Sequence, residues 1–313
     1  MEVGEQPLSA VALSQRVLKT GEMMKRVLLA GSTGYLGSYI AKELQRRSHF
    51  VRTIARNQGK LKQLGVEADE VIEAQLTDPD SIKDCCRGID VVITTVGITR
   101  QKDGLTYMDV DFQANMNLLD EAKRSGVEKF IYVSVLNGEK LRELKICDAK
   151  ERFVDRLKQS GLDHCVIRPN GFFSDMSEFY RMAKRGRVYL FGDGELRANP
   201  IHGEDLARVC VDAIDKPVQV IEVGGPETFT QNQIASIAFE SLGKRPAIVH
   251  LPDWIRVLIL KLVRRFTGSK VHGPIEFFMT VMAMDMLAPE NGTHTLEEYF
   301  AGLDKENGSA TTS

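Results

Sequence analysis

The sequence predicts an α/β protein: a parallel sheet with helices on both faces. Three observations carry this. Short apolar runs alternate with helically periodic segments from Lys25 to Pro169. The runs are continuous rather than alternating, as strands covered on both faces should be. The helical segments end at turn-forming glycines such as Gly126 and Gly161. A chain of 313 residues, 43% hydrophobic, can bury one large core with a smaller appendage.

The elements follow in order. RVLLAG is the first strand and YLGSYIAKELQRR the first helix. FVRTIAR and EVIEAQL are the second and third strands, SIKDCCRG a short helix, and DVVITTVG the fourth strand. A long helix over YMDVDFQANMNLLDEAKRSG leads to a fifth strand, KFIYVSV. A helix over 150–160 leads to a sixth, HCVIRP, ended by Pro169. Beyond Asn170 the rhythm loosens. VYLFGDGELRANPI reads as short strands and loops, GEDLARVCVDAI as a helix, VIEVGGP as a strand, and TQNQIASIAFESLG as a helix with Thr230 at its N-cap. From RPAIVHLPDW onward the chain reads as mostly helical. The expected division is a disordered extension over 1–23, a nucleotide-binding domain over 24–223, and a helical substrate or lid region over 224–313, to which 170–202 contribute.

A formal net charge of −2 excludes a globally basic nucleic-acid binder. The five cysteines form no C-x-x-C pair and no zinc-like spacing with histidine, so no metal site is expected. No apolar run reaches the roughly 18–20 residues that span a bilayer. Residues 1–23 lack the apolar segment of a secretory signal. They imply a cytoplasmic protein, or a plastid one if they form a transit peptide.

Gly31, Gly34 and Gly37 lie between the first strand and the first helix. A pyrophosphate needs backbone N–H groups it can approach without Cβ atoms in the way, at the positive end of a helix dipole. In this strand–loop–helix context the three glycines point to dinucleotide binding and to a Rossmann-like, doubly wound sheet. The second strand ends at Arg56, with Lys60 nearby and no carboxylate, which suits a 2′-phosphate and favours NADP(H) over NAD(H). Asp78 is read as an adenine contact or a cap for a helix starting at Pro79. Expected cofactor contacts are Gly31, Ser32, Thr33, Gly34, Tyr35, Leu36 and Gly37 of the loop, Arg56, then Thr95, Val96 and Gly97 after the fourth strand. Pro169 and Phe172 join them at the sixth strand's carboxyl end, where ligands of such sheets bind. Phe172 and Phe173 either wall an apolar pocket there or belong to the core.

The glycine pattern, Arg56, DVVITTVG, KFIYVSV and VIRPNGFF together resemble the atypical short-chain dehydrogenase/reductase superfamily, in its NmrA-like branch. FGDGELRANPIHGEDLA and VGGPETFT are similar to plant-type divinyl chlorophyllide 8-vinyl-reductases. The resemblance implies a catalytic serine followed by Tyr-x-x-x-Lys. Ser134 matches the serine and Lys150 the lysine, which would also hold the nicotinamide ribose. The tyrosine position is Ile146, and an isoleucine transfers no proton. Candidate donors are Lys150, if burial lowers its pKa, Tyr107 and His202. Otherwise the proton comes from water, or the protein binds NADP(H) without turnover.

DWIRVLILKLVRRF sets Ile255, Leu258, Ile259, Leu262, Val263 and Phe266 on one helical face, with Arg256, Lys261, Arg264 and Arg265 on the other half. With the apolar IEFFMTVMAMDML after it, this region reads as a pocket lid or core. Alternatively, residues 254–288 meet a membrane surface or a protein partner. The expectation is an NADPH-dependent reductase of a hydrophobic carbonyl or alkene, or else a non-catalytic NADP(H)-binding sensor or assembly factor.

Overall fold

The computed structural model describes residues 24–98 and 104–309; the expectations for 1–23 lie outside them. The principal sheet has seven strands: β1 (Arg26–Ala30), β2 (Phe50–Ala55), β3 (Glu70–Glu73), β4 (Val91–Thr94), β5 (Lys129–Val133), β6 (Asp163–Pro169) and β9 (Val220–Val223). Their order is β3-β2-β1-β4-β5-β6-β9, and every pairing is parallel. The order reverses between β1 and β4, so the crevice beyond their carboxyl ends is where a ligand of such a sheet sits.

Alternation along each strand fills both faces. Val27 and Leu29 of β1, Ile93 of β4 and Ile131 of β5 pack under α1 (Tyr35–Arg46) and α6 (Gly203–Asp212). Leu28, Val92, Phe130 and Tyr132 pack on the other side, under α3 (Asn115–Arg124) and α4 (Lys145–Lys158). This is why the strands read as unbroken apolar runs. The short α2 (Gln58–Gln63) follows β2, its N-terminus capped by Asn57.

The segment read as a helix over 81–88 is a chain of turns. Asp84 takes a positive φ of 62°, which an L-residue inside a helix cannot adopt. The Arg52 guanidinium donates to the carbonyls of Cys85 and Arg87, at 2.8 Å each, and ties these turns to β2. Asp78 accepts from the Asp80 N–H at 3.1 Å in a local turn and caps no helix. The long helix opens as a π-helical segment, Met108–Ala114, ahead of α3. The helix carrying Lys150 begins at Lys145, five residues before the expected start of that element.

A further core joins Phe173 and Phe179 of α5 (Phe173–Lys184), Leu190 of β7 (Val188–Phe191), Phe239 of α7 (Gln231–Glu240), and Phe300 of α10 (Leu296–Ser309). Thr230 caps α7 reciprocally with Gln233. Beyond residue 246 the chain is mostly helical, as its sequence implies, with short strands added to it and to the segment before it. β11 (Ile248–Leu251) pairs in parallel with β7, and β8 (Arg197–Ala198) pairs with β10 (Phe229–Thr230). Two helices, α8 (Asp253–Phe266) and α9 (Ser269–Val281), lie against each other between β11 and α10.

Candidate functional site

A cavity of about 320 Å³ opens at the crevice. Gly31, Thr33 and Gly34 form one wall, Arg56 and Lys60 another, and Thr95, Val96 and Gly97 the floor beyond β4. The glycines divide the work. Gly31 takes φ +92°, and a Cβ there would lie 2.4 Å from Thr95 Oγ1. A Cβ on Gly37 would lie 2.1 Å from the Gly31 carbonyl oxygen, so α1 could not pack on the loop. Gly34 is the N-cap of α1, with extended backbone and no side-chain cap. The helix's first N–H groups therefore face the cavity without a competing side chain.

Of the other loop residues, Ser32 and Leu36 point into the core, and Ser32 Oγ bonds Thr53 Oγ1. The Tyr35 ring turns to Phe172, at a centroid distance of 5.6 Å, and its hydroxyl accepts from the Gly203 N–H at 3.2 Å. Pro169 is paired with Val223 at the end of β6, and Phe173 is core. None of these side chains is part of the cavity wall.

Lys150 stands immediately beside that wall. Its Nζ lies 2.9 Å from Asp111 Oδ1; the carboxylate side chain is fully buried and the lysine side chain 14% exposed. A Cβ on Gly97 would fall 2.5 Å from Asp111 Oδ1 and 2.7 Å from Lys150 Nζ, so only glycine fits between the pair and the cavity. The π-helical turn sets Asp111 there. Asn115 takes up the displaced carbonyls of Val110 and Asp111 and also binds Val96 O, while its own amide oxygen accepts from Thr94 Oγ1. Such bulges recur at functional sites. Asp111 Oδ2 accepts from the Ile98 N–H. Asp111 Oδ1, apart from its ion contact, and Tyr132 Oη are buried oxygens without a hydrogen bond among the described residues. Sequence reasoning missed Asp111; the available signal was a carboxylate within the helical stretch MDVDF.

Burial would pull the Lys150 ammonium down, but Asp111 beside it holds it above its ordinary value. The expectation of a lowered lysine pKa is therefore corrected: the group stays charged. Burial raises the Asp111 carboxyl, and Lys150 opposes that. The other proposed donors are no better placed. Burial pushes the Tyr107 hydroxyl up to about 12, and Tyr107 packs with Leu141, Leu144 and Ile146 in an apolar cluster. Ile98 and, from the region of α9, Phe277, Val281 and Met284 close over it. Burial keeps His202 neutral, below its ordinary pKa.

Ser134 donates to Glu151 Oε1 at 2.9 Å. Arg168 grips the same carboxylate with both terminal nitrogens, at 2.7 Å each. The serine hydroxyl is thus committed to a buried clamp joining β5, α4 and β6.

His202, Glu204 and His294 offer ligand atoms within 4.8 Å of one another. The hydrogen bond of His202 argues against a preformed metal set. His202 Nδ1 accepts from the Glu204 N–H as the N-cap of α6, so in the neutral ring Nε2 carries the proton and has no lone pair to give. His294 Nδ1 is bound to Asp205 Oδ1 at 3.0 Å.

The model for NAD(P)H-binding domains matches residues 31–217. Divinyl chlorophyllide a 8-vinyl-reductase of Zea mays is 27% identical over 318 residues, covering 90% of this chain and 79% of that protein. Photosystem II assembly factor Ycf39 of Synechocystis is 24% identical over 248 residues, covering 77% and 74%. The NADPH complex of the Escherichia coli quinone oxidoreductase QOR2 superposes with a TM-score of 0.67 at 17% identity, covering 89% of this chain and 99% of that one. AtPrR2 with NADP+ and (+)pinoresinol gives 0.71 at 15% identity, covering 89% and 98%; likenesses this distant speak for the fold alone. The glycine loop, the switch-point cavity and the matched domain agree: the chain belongs to the NAD(P)H-binding family.

Proposed function

We propose that the protein is an NADPH-dependent reductase of a hydrophobic carbonyl or conjugated alkene. The observation that carries this is the Lys150–Asp111 pair beside Gly97, at one end of the nucleotide cavity and next to the apolar cluster around Ile146. The similarity to vinyl reductases supports the substrate class. Arg56 and Lys60 line the other end, which supports NADP(H) over NAD(H) because a guanidinium pairs with a 2′-phosphate in two hydrogen bonds.

The glycine loop and the α1 N-terminus hold the pyrophosphate, and Lys150 holds the nicotinamide ribose as a fixed cation. When bound, the nicotinamide supplies the hydride. Ser134 orients the Glu151–Arg168 clamp beneath the site rather than carrying the proton. Ile146 and its neighbours exclude water from one side and favour an apolar substrate face. The protonation step then draws its proton from water or from another residue. The region 224–313, with 170–202, acts as the substrate cover.

Fluorescence titration with NADPH and NADH tests this reading. NADPH binds more tightly, and Arg56→Ala weakens NADPH by roughly tenfold while sparing NADH, the scale of a charge-assisted hydrogen bond worth about 1.5–3 kcal/mol. If neither nucleotide binds, the proposal fails.

A second reading is a non-catalytic NADP(H)-binding sensor or assembly factor, favoured by Ile146 and by the similarity to Ycf39. Steady NADPH oxidation with a defined substrate dismisses it. The maize relative is named as chloroplastic, which supports the plastid alternative over the cytoplasmic one. An import assay with and without residues 1–23 decides between them.

A further inference from the structure

Helix α8 presents an unusual surface. Its residues run from Asp253 to Phe266, and none is buried. Trp254 is 64% exposed, Leu258 45%, Leu262 47% and Phe266 76%. These four recur at intervals of four along the sequence, so they form one stripe along the helix. Lys261 and Arg265 are interleaved with them and are exposed.

The charges sort by side. Arg256 is paired with Asp253, and Arg264 with Glu276 of α9. Among the described residues no carboxylate pairs with Lys261 or Arg265, and Arg265 lies over the Phe266 ring at 5.9 Å. The stripe is therefore apolar with unneutralised positive charge. Among the described residues no helix is long and apolar enough to cross a membrane.

The charge pattern selects the occupant. A second copy meeting this face about a two-fold axis would bring the same patch against itself, setting Lys261 and Arg265 against their own counterparts with no acid to relieve them. An anionic bilayer answers both features. Large apolar side chains enter the boundary between headgroups and acyl chains, and the cations meet the lipid phosphates.

We propose that α8 seats the protein on an anionic lipid surface. Trp254, Leu258, Leu262 and Phe266 enter the interface, and Lys261 and Arg265 contact headgroups. The neighbouring α9 places Phe277 over the apolar cluster of Ile146, so the hairpin links the bilayer to the site.

Trp254 is the chain's one tryptophan, which makes its emission a direct report of the stripe. The full-length protein is mixed with vesicles of phosphatidylcholine alone or with about one third phosphatidylglycerol. Expected are a blue shift and quenching by brominated lipid with the anionic vesicles, both weakened by salt. Lys261→Gln with Arg265→Gln lowers the partition coefficient roughly 25-fold, about fivefold for each cation removed near the surface. Leu258→Asp with Leu262→Asp abolishes binding. NADPH affinity, measured alongside, stays unchanged in all variants; this shows that they fold and keeps the test separate from the reductase reading. Equal partition onto neutral and anionic vesicles overturns the proposal. So does an unshifted Trp254 emission, or a light-scattering mass showing copies that pair through the stripe and separate in Leu258→Asp/Leu262→Asp.

Discussion

Replacing Asp111 by asparagine tests whether Lys150 and Asp111 form a desolvated ion pair. The carboxylate is fully buried and the ammonium 14% exposed, 2.9 Å away. Asparagine keeps the shape and an acceptor oxygen but removes the charge, so the ammonium loses its counter-ion in place. Breaking a buried pair in this way costs about 3–5 kcal/mol, and the slight exposure of Lys150 favours the lower figure, about 3 kcal/mol. For a chain of this size each kcal/mol lowers Tm by about 2 °C, so the variant melts about 6 °C early. The pH dependence adds a signature. Without Asp111, burial loses its main opponent at Lys150, and the folded-state pKa is expected to drop below the ordinary 10.5. A base depressed in the folded state carries its full penalty at pH below the folded value, and the penalty shrinks as pH rises toward the unfolded value. The variant therefore closes on the wild type from neutral to alkaline pH. Asp111→Asn with Lys150→Met removes both charges and recovers most of the loss. Circular-dichroism melts of the wild type, both single variants and the double variant near pH 7 and about pH 9.5 measure this. A loss under about 1 kcal/mol in Asp111→Asn, or a double variant as unstable as the two single losses added together, refutes the buried pair.

Gly37→Ala sets a methyl group against the Gly31 carbonyl oxygen, 2.1 Å away, with backbone on both sides. Overpacking of about 1–3 kcal/mol displaces the loop, and NADPH titration shows affinity down at least tenfold; affinity within twofold of the wild type counts against the packing role. Ile146→Tyr puts the missing hydroxyl into the cluster of Tyr107, Leu144 and Phe277, where an unpartnered polar group costs about 1–3 kcal/mol. The expected variant melts earlier and oxidises NADPH no faster, and a stable variant with raised turnover would overturn this. Asp205 is held below the ordinary 3.8 by the His294 and Thr293 N–H groups and the His294 ring, against the effect of burial. Its stabilisation is complete above that ordinary value and drains away as pH falls through the lowered one. Asp205→Asn thus melts earlier at neutral pH, by about 1.5–3 kcal/mol for bonds to a charged group, and converges with the wild type in acid; a constant gap across pH would contradict the assignment.

The nucleotide half of the site was legible because its chemistry is local. Gly31, Gly34 and Gly37 lie within one loop, and Arg56 follows its strand directly. The other half was not, because it depends on long-range placement. Asp111 meets Lys150 across 39 positions, through a π-helical turn that no periodicity announces. Ser134 was readable as a residue but not as a bond: Glu151, which accepts from its hydroxyl, and Arg168, which holds Glu151, come from separate elements. The segment over 81–88 has helical composition, and the positive φ at Asp84 breaks it into turns. In α8 the sequence revealed the apolar face, while its exposure appeared only in the fold.

The π-helical segment Met108–Ala114 has a genetic consequence. Each residue of a helix advances the side chains by about 100°. Loss of one codon in that segment other than that of Asp111 would return the turn to α-helical phase and swing Asp111 away from Lys150, with no substitution at either residue. A one-residue deletion, tolerated in a surface loop, would here discharge the site in a single step. The length of this short stretch is thus inherited information as much as the identity of its residues.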